Sequence, residues 1–202
     1  GGADMTVIGL TGPTGAGKTT ALVVLGEMGC EIVDCDALYY RLLQTDRAFR
    51  GRLTDTFGNI FDSDGQLNRA VLGKLVFENP KELSRLNAII YPAVRAAVEA
   101  QIEACTAHSI VVDAINLMES GIGELCDFTV ALTAPPEVRL QRIMARDGIA
   151  EDYARSRMAA QKSDGYYKKH CTFLLENRAG SKGEFCRLIR DFFQDFILQE
   201  EI

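Results

Sequence analysis

The run Gly9-Leu-Thr-Gly-Pro-Thr-Gly-Ala-Gly-Lys-Thr-Thr20 holds the clearest chemistry in the chain. Within it, Gly12 to Thr19 satisfy the phosphate-binding pattern G-x-x-x-x-G-K-(S/T) without a mismatch, and each position has a physical task. Backbone N–H groups of Gly12, Pro13-flanked Thr14, Gly15, Ala16 and Gly17 wrap a polyphosphate. Lys18 reaches its outer phosphates, the Thr19 hydroxyl suits Mg²⁺, and Thr20 continues the first helical turn. A structural glycine-rich turn is the plainer reading of such a stretch. Context decides between them: Met5-Thr-Val-Ile-Gly-Leu10 is a short β-rich apolar run, and Thr19 to Met28 reads as a helix closed by Gly29. A strand and a helix on either side aim a positive helix N-terminus at the anion.

A phosphoryl transferase also needs a base for the acceptor, a metal and positive charge on the migrating group. Asp34 and Asp36 end a second apolar run, Glu31-Ile-Val-Asp34-Cys-Asp36. If the strand continues through Asp36, both carboxylates face one side; the alternative is that one of them caps the helix that follows. Asp113 ends a third run, Ser109-Ile-Val-Val-Asp113, and could hold Mg²⁺ through a water, or serve only as a cap. Arg142 and Arg146 stand four apart, on one face of a helix, before Asp147-Gly148. They suit the base of a lid closing guanidiniums over a phosphate; spacing alone favours a solvated basic face.

The elements that must position these residues follow from periodicity. Strands are expected at Met5–Leu10, Glu31–Asp36, Ser109–Asp113, Asp127–Thr133 and Thr172–Asn177. Helices are expected from Ala37, over Pro135–Arg146 and Ala150–Lys162, and over an amphipathic Phe185–Gln199 carrying Phe185, Leu188, Ile189, Phe192, Phe193, Phe196 and Ile197 on one face. Residues 46 to 105 read as a helical lobe broken at Pro80 and Pro92, with a turn at Phe61–Gly65. Strands alternating with helices imply a three-layer α/β/α fold around a mostly parallel five-stranded sheet, with ligands bound at the carboxyl edge of the strands. The chain is one domain on this reading: a core of about 5–45 and 106–202, a helical insert of about 46–105 and a lid of about 142–165.

Composition sets the bounds. The chain has 202 residues, 47% of them hydrophobic, enough for one well-buried core. No apolar run is long enough to span a membrane and no signal peptide stands out, so a soluble cytoplasmic protein is expected. Gly1 to Asp4 read as a lead-in to Met5. A net charge of −6 disfavours a general nucleic-acid binder, though not a mononucleotide site. Cys30, Cys35, Cys105, Cys126, Cys171 and Cys186 form no C-x-x-C pair, which disfavours zinc and suits free thiols in a reducing compartment. His108 and His170 read as surface or loop residues.

From Val7 to about Leu188 the chain resembles the dephospho-coenzyme A kinase family. Ile8-Gly-Leu-Thr-Gly12 through Gly-Ala-Gly-Lys-Thr-Thr20 resembles its G-L-T-G-G-I-G-S-G-K-S-T, and Val33-Asp-Cys-Asp36 its D-A-D. Leu67-Asn-Arg69 through Val76-Phe77 and Leu86-Asn-Ala-Ile-Ile-Tyr-Pro92 resemble its L-D-R…F and L-x-x-I-x-H-P segments. Leu117-Met-Glu119, Arg142-Ile-Met-Ala-Arg146-Asp, Met158-Ala-Ala-Gln161 and Leu175-Glu-Asn177 follow its later blocks in order. The resemblance implies a P-loop kinase fold and transfer of the ATP γ-phosphoryl, with Mg²⁺, to the ribose 3′-hydroxyl of dephospho-coenzyme A. It implies Asp36 as base, Lys18 and Arg146 as charge stabilisers, and Thr19 as the Mg²⁺ ligand, beside the strand-end candidate Asp113. Arg142 and Asn177 fall on the nucleotide side, with Asn177 near adenine; Asp34, Arg69, Tyr91 and Pro92 fall on the acceptor side. A monomer or weak homo-oligomer is expected.

This sequence departs from the family pattern in places. Tyr91 replaces a His, Ile115-Asn116 replace Pro-Leu, Tyr40 replaces an Arg, and Cys171-Thr172 replace Ala-Asp. Tyr can hydrogen-bond as His does but carries no positive charge at neutral pH. Two other readings remain open: a P-loop kinase for a nucleoside or nucleoside monophosphate, and a nucleotide-binding sensor without catalysis. The absence of an N-K-x-D guanine motif sets a GTPase aside.

Overall fold

Alternating buried strands and capped helices organise the chain. A computed structural model describes residues 5–197. The lead-in Gly1–Asp4 and the last two residues of the expected closing helix, Leu198 and Gln199, lie outside the described residues. In order, the elements are β1 (Thr6–Thr11), α1 (Lys18–Glu27), β2 (Glu31–Asp34), α2 (Cys35–Thr45), α3 (Arg47–Phe57), α4 (Arg69–Val76) and α5 (Pro80–Ala104). They continue with β3 (Ser109–Asp113), β4 (Phe128–Thr133), α6 (Pro136–Asp147), α7 (Glu151–Ala159), α8 (Asp164–His170), β5 (Phe173–Glu176) and α9 (Lys182–Phe193), with a short 3₁₀ turn at Ile122–Leu125.

The chain divides into two compact units, one made of the residues up to Val33 and from Ala104 onward, the other of Asp34–Glu103. In the first unit the five strands lie in the order β2-β3-β1-β4-β5. The pairs β1–β3, β1–β4 and β4–β5 are parallel, with Leu10 opposite Asp113 and Thr11 opposite Ala131. This is a P-loop α/β fold with β1 at the centre of the sheet.

β-Branched apolar runs favour a buried pleated sheet, and Ile110, Val111 and Val112 of β3 are fully buried. One face of the sheet, carrying Ile8, Leu10, Val111, Val130 and Leu132, packs against Ala21, Val24 and Leu25 of α1 and Phe185, Ile189 and Phe193 of α9. The amphipathic face expected for the closing helix is present from Phe185 to Phe193, where α9 ends; Phe196 and Ile197, expected on the helix, lie in the turn after it. Phe192 and Phe196 extend the face into an aromatic group with Phe128 and Phe173. Side-chain capping starts α9: Ser181 Oγ accepts from Glu184 N, and Glu184 Oε2 accepts from Gly180 N. On the other face Ala131 packs with Tyr167 of α8 and Cys171. Leu140, Ile143 and Ala154 join α6 to α7.

The second unit is helical. Leu43, Phe49, Leu53, Ile60, Leu72 and Leu86 form its core. Side-chain caps set its helices: Asp46 Oδ1 accepts from Phe49 N, and Asn68 Oδ1 from Val71 N. The expected turn at Phe61–Gly65 is an Asp62-centred loop, where the carboxylate accepts from the backbone of Asp64 and Gln66. The expected break at Pro80 holds, since Pro80 is the first residue of α5. The expected break at Pro92 does not. Pro92 lies within the continuous helix α5, where the loss is a single backbone donor, and Leu86 and Val94 are buried on either side of it. Two further expectations shift. The helix after the lid arginines ends at Ala159 rather than Lys162, and α8 was not foreseen, because its Tyr-Tyr-Lys-Lys run has no apolar stripe. No helix among the described residues is long and apolar enough to cross a membrane.

Candidate active site

The loop between β1 and α1 is built by glycine conformations that no other residue adopts cheaply. Gly12 has φ +141°, and a Cβ there would stand 2.1 Å from the Leu132 carbonyl oxygen of β4. Gly15, at φ +83°, packs directly on α6, where a Cβ would lie 2.9 Å from Arg139 O. Gly17 caps α1 in the left-handed region; it offers no side chain to the first-turn amides, and no acid stands in that turn. Those amides and the helix dipole therefore face an incoming anion with no acidic competitor from the first turn.

The loop is gripped from outside. Arg139 Nε donates to Thr14 O at 3.0 Å, Arg142 Nη1 to Gly15 O at 3.1 Å and Asn177 Nδ2 to Ala16 O at 3.2 Å. Asn177, buried just past β5, also accepts from Ala179 N at 3.2 Å, and its own N–H donates to Thr133 O. Gln161, in the link between α7 and α8, donates to Thr14 Oγ1 at 2.9 Å and accepts from Arg139 Nη2.

Lys18 begins α1, and its Nζ lies 2.8 Å from Asp113 Oδ1 at the end of β3. That oxygen is buried, so the ammonium and the carboxylate face each other as a close ion pair. Parallel pairing of β1 with β3 puts the two residues together, since Leu10 and Asp113 share a register position. Thr19 is exposed on the same turn as Lys18.

Farther along α6 the two lid arginines part. Arg142 is half-buried against the loop, whereas Arg146, one turn later, is exposed and makes a two-point contact with Asp147 at 2.7 and 2.9 Å. Arg157 Nη1 donates to the same carboxylate at 2.7 Å. Arg146 first, then Arg157, hold the Asp147 carboxyl well below the usual carboxylate range. Arg139 is the buried cation here, and desolvation lowers its pKa against the field of Asp164 and Tyr167.

The first unit therefore brings together Gly12, Pro13, Thr14, Gly15, Ala16, Gly17, Lys18, Thr19, Thr20, Asp113, Arg142 and Asn177. In the second unit, Asp34 caps α2: its Oδ1 accepts from Asp36 N at 2.9 Å and Ala37 N at 3.2 Å. The strand ends at Asp34, so Asp36 sits exposed in the first turn of α2 and not on a continuing strand; the condition for both acids to face one way is not met. Arg69 opens α4 with its guanidinium 4.9 Å from the Tyr40 ring centroid. Tyr91 and Pro92 lie in mid-α5 rather than in a turn.

Sequence reading passed over Arg139 and Gln161 as site residues. Arg139 is three before Arg142, hence on the same side of the helix, and that spacing was the available signal. It also passed over Tyr166, whose hydroxyl donates to Glu119 and whose pKa is raised by burial and then by that carboxylate.

A family model described as dephospho-CoA kinase matches residues 6–183. A Corynebacterium diphtheriae protein named dephospho-CoA kinase is 32% identical, over 98% of this chain and 100% of its own. One from Dehalococcoides mccartyi is 34% identical, over 86% of this chain and 89% of its own. A crystal structure of a Thermus thermophilus protein superposes with a TM-score of 0.77 at 29% identity, covering 95% of this chain and 96% of that one.

Proposed function

The chain belongs to the dephospho-CoA kinase family, and on that premise we propose that it transfers the γ-phosphoryl of ATP to the ribose 3′-hydroxyl of dephospho-coenzyme A. The product is coenzyme A, and the reaction is the last step of its synthesis. The observation that carries the reading is an intact phosphate cradle, gripped at three successive carbonyls, inside a family match that runs from β1 into α9.

Amides of Gly12 to Thr19 and the α1 dipole bind the phosphates, and Lys18 neutralises charge on their outer end. Mg²⁺ would be held by Thr19, with Asp113 through water. An exposed hydroxyl and one carboxylate, both oxygen donors, fit a hard cation that keeps most of its water, so the residues present suit the ion. When bound, Mg²⁺ supplies positive charge to the β- and γ-phosphate oxygens. Asp36 takes the proton of the 3′-hydroxyl as that oxygen bonds to the γ-phosphorus; the bond from γ-phosphorus to the bridging oxygen breaks and ADP leaves with its electron pair. Asp34, spent on capping α2, orients the turn that carries Asp36. Arg146 exchanges Asp147 for the migrating phosphoryl group, while Arg142 and Asn177 serve the nucleotide side.

On the acceptor side we assign Arg69, Tyr91 and Pro92 within the helical insert of about 46–105, with a lid of about 142–165. The protein acts in the cytoplasm as a monomer or weak homo-oligomer. The test is ADP release from Mg²⁺-ATP over a panel of dephospho-coenzyme A, nucleosides and nucleoside monophosphates. Turnover confined to dephospho-coenzyme A is expected; turnover confined to another alcohol reassigns the acceptor, and ATP binding without any turnover makes the chain a sensor.

A further inference from the structure

Three consecutive carbonyls of the phosphate loop, those of Thr14, Gly15 and Ala16, accept from Arg139, Arg142 and Asn177. In a trans peptide the C=O and the following N–H point in opposite directions. Holding these carbonyls outward directs the N–H groups of Gly15, Ala16 and Gly17 to the other side. With Gly15 at φ +83° and Gly17 at φ +98° on either side of Ala16, the backbone alternates as an anion-binding nest requires.

Arg139 stands apart from the other two. Among the described residues it is the charged side chain that is buried, 8% exposed. A buried guanidinium is costly unless its donors are met. Its Nε meets Thr14 O, its Nη2 meets Gln161 Oε1, and Gln161 Nε2 returns to Thr14 Oγ1 at 2.9 Å. The ring closes on one residue of the loop, held at both carbonyl and hydroxyl. The rigid fork of Arg suits this two-acceptor arrangement, which a Lys ammonium cannot reproduce. Because Gln161 lies in the α7–α8 link, the same ring ties that link to the loop.

We propose that Arg139, acting with Gln161, is a positioning residue that fixes Thr14 so that the loop amides are aligned for the nucleotide phosphates before ATP arrives. This rests on the ATP-binding reading of the loop, and it assigns Arg139 no contact with substrate.

Arg139→Met and Gln161→Met keep side-chain volume while removing the hydrogen bonds, and Arg139→Lys restores one of the two from position 139. The expected result is an ATP affinity, read by titration calorimetry, about tenfold weaker in each Met variant and partly recovered in Arg139→Lys. The KM for ATP rises in parallel while the KM for dephospho-coenzyme A stays within about twofold of the parent. The double Met variant loses little more than the worse single one, since the ring is one unit. If Arg139→Met unfolds, Gln161→Met carries the test, its half-buried amide being the cheaper one to lose. ATP affinity within about twofold of the parent in a folded Met variant, or equal rises in both KM values, would overturn the proposal. A parent protein that binds ATP yet phosphorylates no dephospho-coenzyme A would overturn the acceptor assignment alone, because the calorimetric comparison still decides the role of Arg139.

Discussion

Asn177 is the smallest group on which the loop depends, and its replacement yields a quantity that can be worked out. Its amide nitrogen donates to Ala16 O and its amide oxygen accepts from Ala179 N, both at 3.2 Å. Ala16 is 1% exposed, so in Asn177→Ala no water replaces the lost donor, and an unmet buried carbonyl costs about 1–3 kcal/mol. Ala179 is only half-buried, and its N–H finds water at a cost of up to about 1 kcal/mol. The sum, about 1–4 kcal/mol, lowers the Tm of a chain this size by about 2–16 °C. Asn177→Asp sharpens the test, because the carboxylate keeps the acceptor for Ala179 N but sets an oxygen against Ala16 O. Asp should therefore destabilise at least as much as Ala despite its nearly identical shape. Thermal and urea unfolding, with an unchanged urea slope, give the two values. If Asn177→Asp proves clearly more stable than Asn177→Ala, the donor to Ala16 O is not what holds the loop, and the argument fails.

Other consequences concern the base, the thiols and the core. Asp36→Asn should cut turnover by about 10²–10⁴ in steady-state assays while leaving ATP affinity nearly unchanged; retention of most activity would remove Asp36 as the base. Burial pushes the Cys30 thiol up to about 11, and burial followed by the Asp127 charge pushes Cys126 up to about 12, from an ordinary 9.0. A folded pKa above the unfolded one stabilises fully below the unfolded value and is lost as pH rises through the folded value. The urea midpoint should thus hold its thiol contribution up to about pH 9 and lose it between there and about pH 12, with Cys30→Ala and Cys126→Ala each flattening that decline. An alkaline slope identical in parent and variants counts against it. Phe193, fully buried where the end of α9 packs on the sheet, should cost about 3–5 kcal/mol as Phe193→Ala in urea unfolding, and a loss under about 1 kcal/mol would mean the α9 face is not part of the core.

Much of the architecture was legible because burial leaves period-two and helical patterns in the residues themselves. Ser109–Asp113 was read to the residue, and the α9 face was written in its phenylalanines. The loop was legible because its glycines are demanded by backbone shape: Gly12 has a carbonyl where a Cβ would go. What escaped was set by partners distant in sequence. Pro92 reads as a break, yet α5 absorbs it because apolar contacts on either side outweigh one lost hydrogen bond. Arg139 reads like its exposed neighbours on α6, and only the approach of Thr14 and Gln161 makes it a buried clamp. By sequence Asp34 suits either a cap or a site acid; the structure gives it the cap, a choice fixed by where β2 stops.

The central claim is the identity of the acceptor atom. The direct measurement is phosphorus NMR of the product formed from dephospho-coenzyme A and Mg²⁺-ATP by the purified protein. One new phosphomonoester on the ribose 3′-oxygen is expected, appearing in step with ADP and about 10²–10⁴-fold more slowly with Asp36→Asn. A phosphoryl group on any other oxygen, or ADP released with no phosphorylated acceptor, would contradict it.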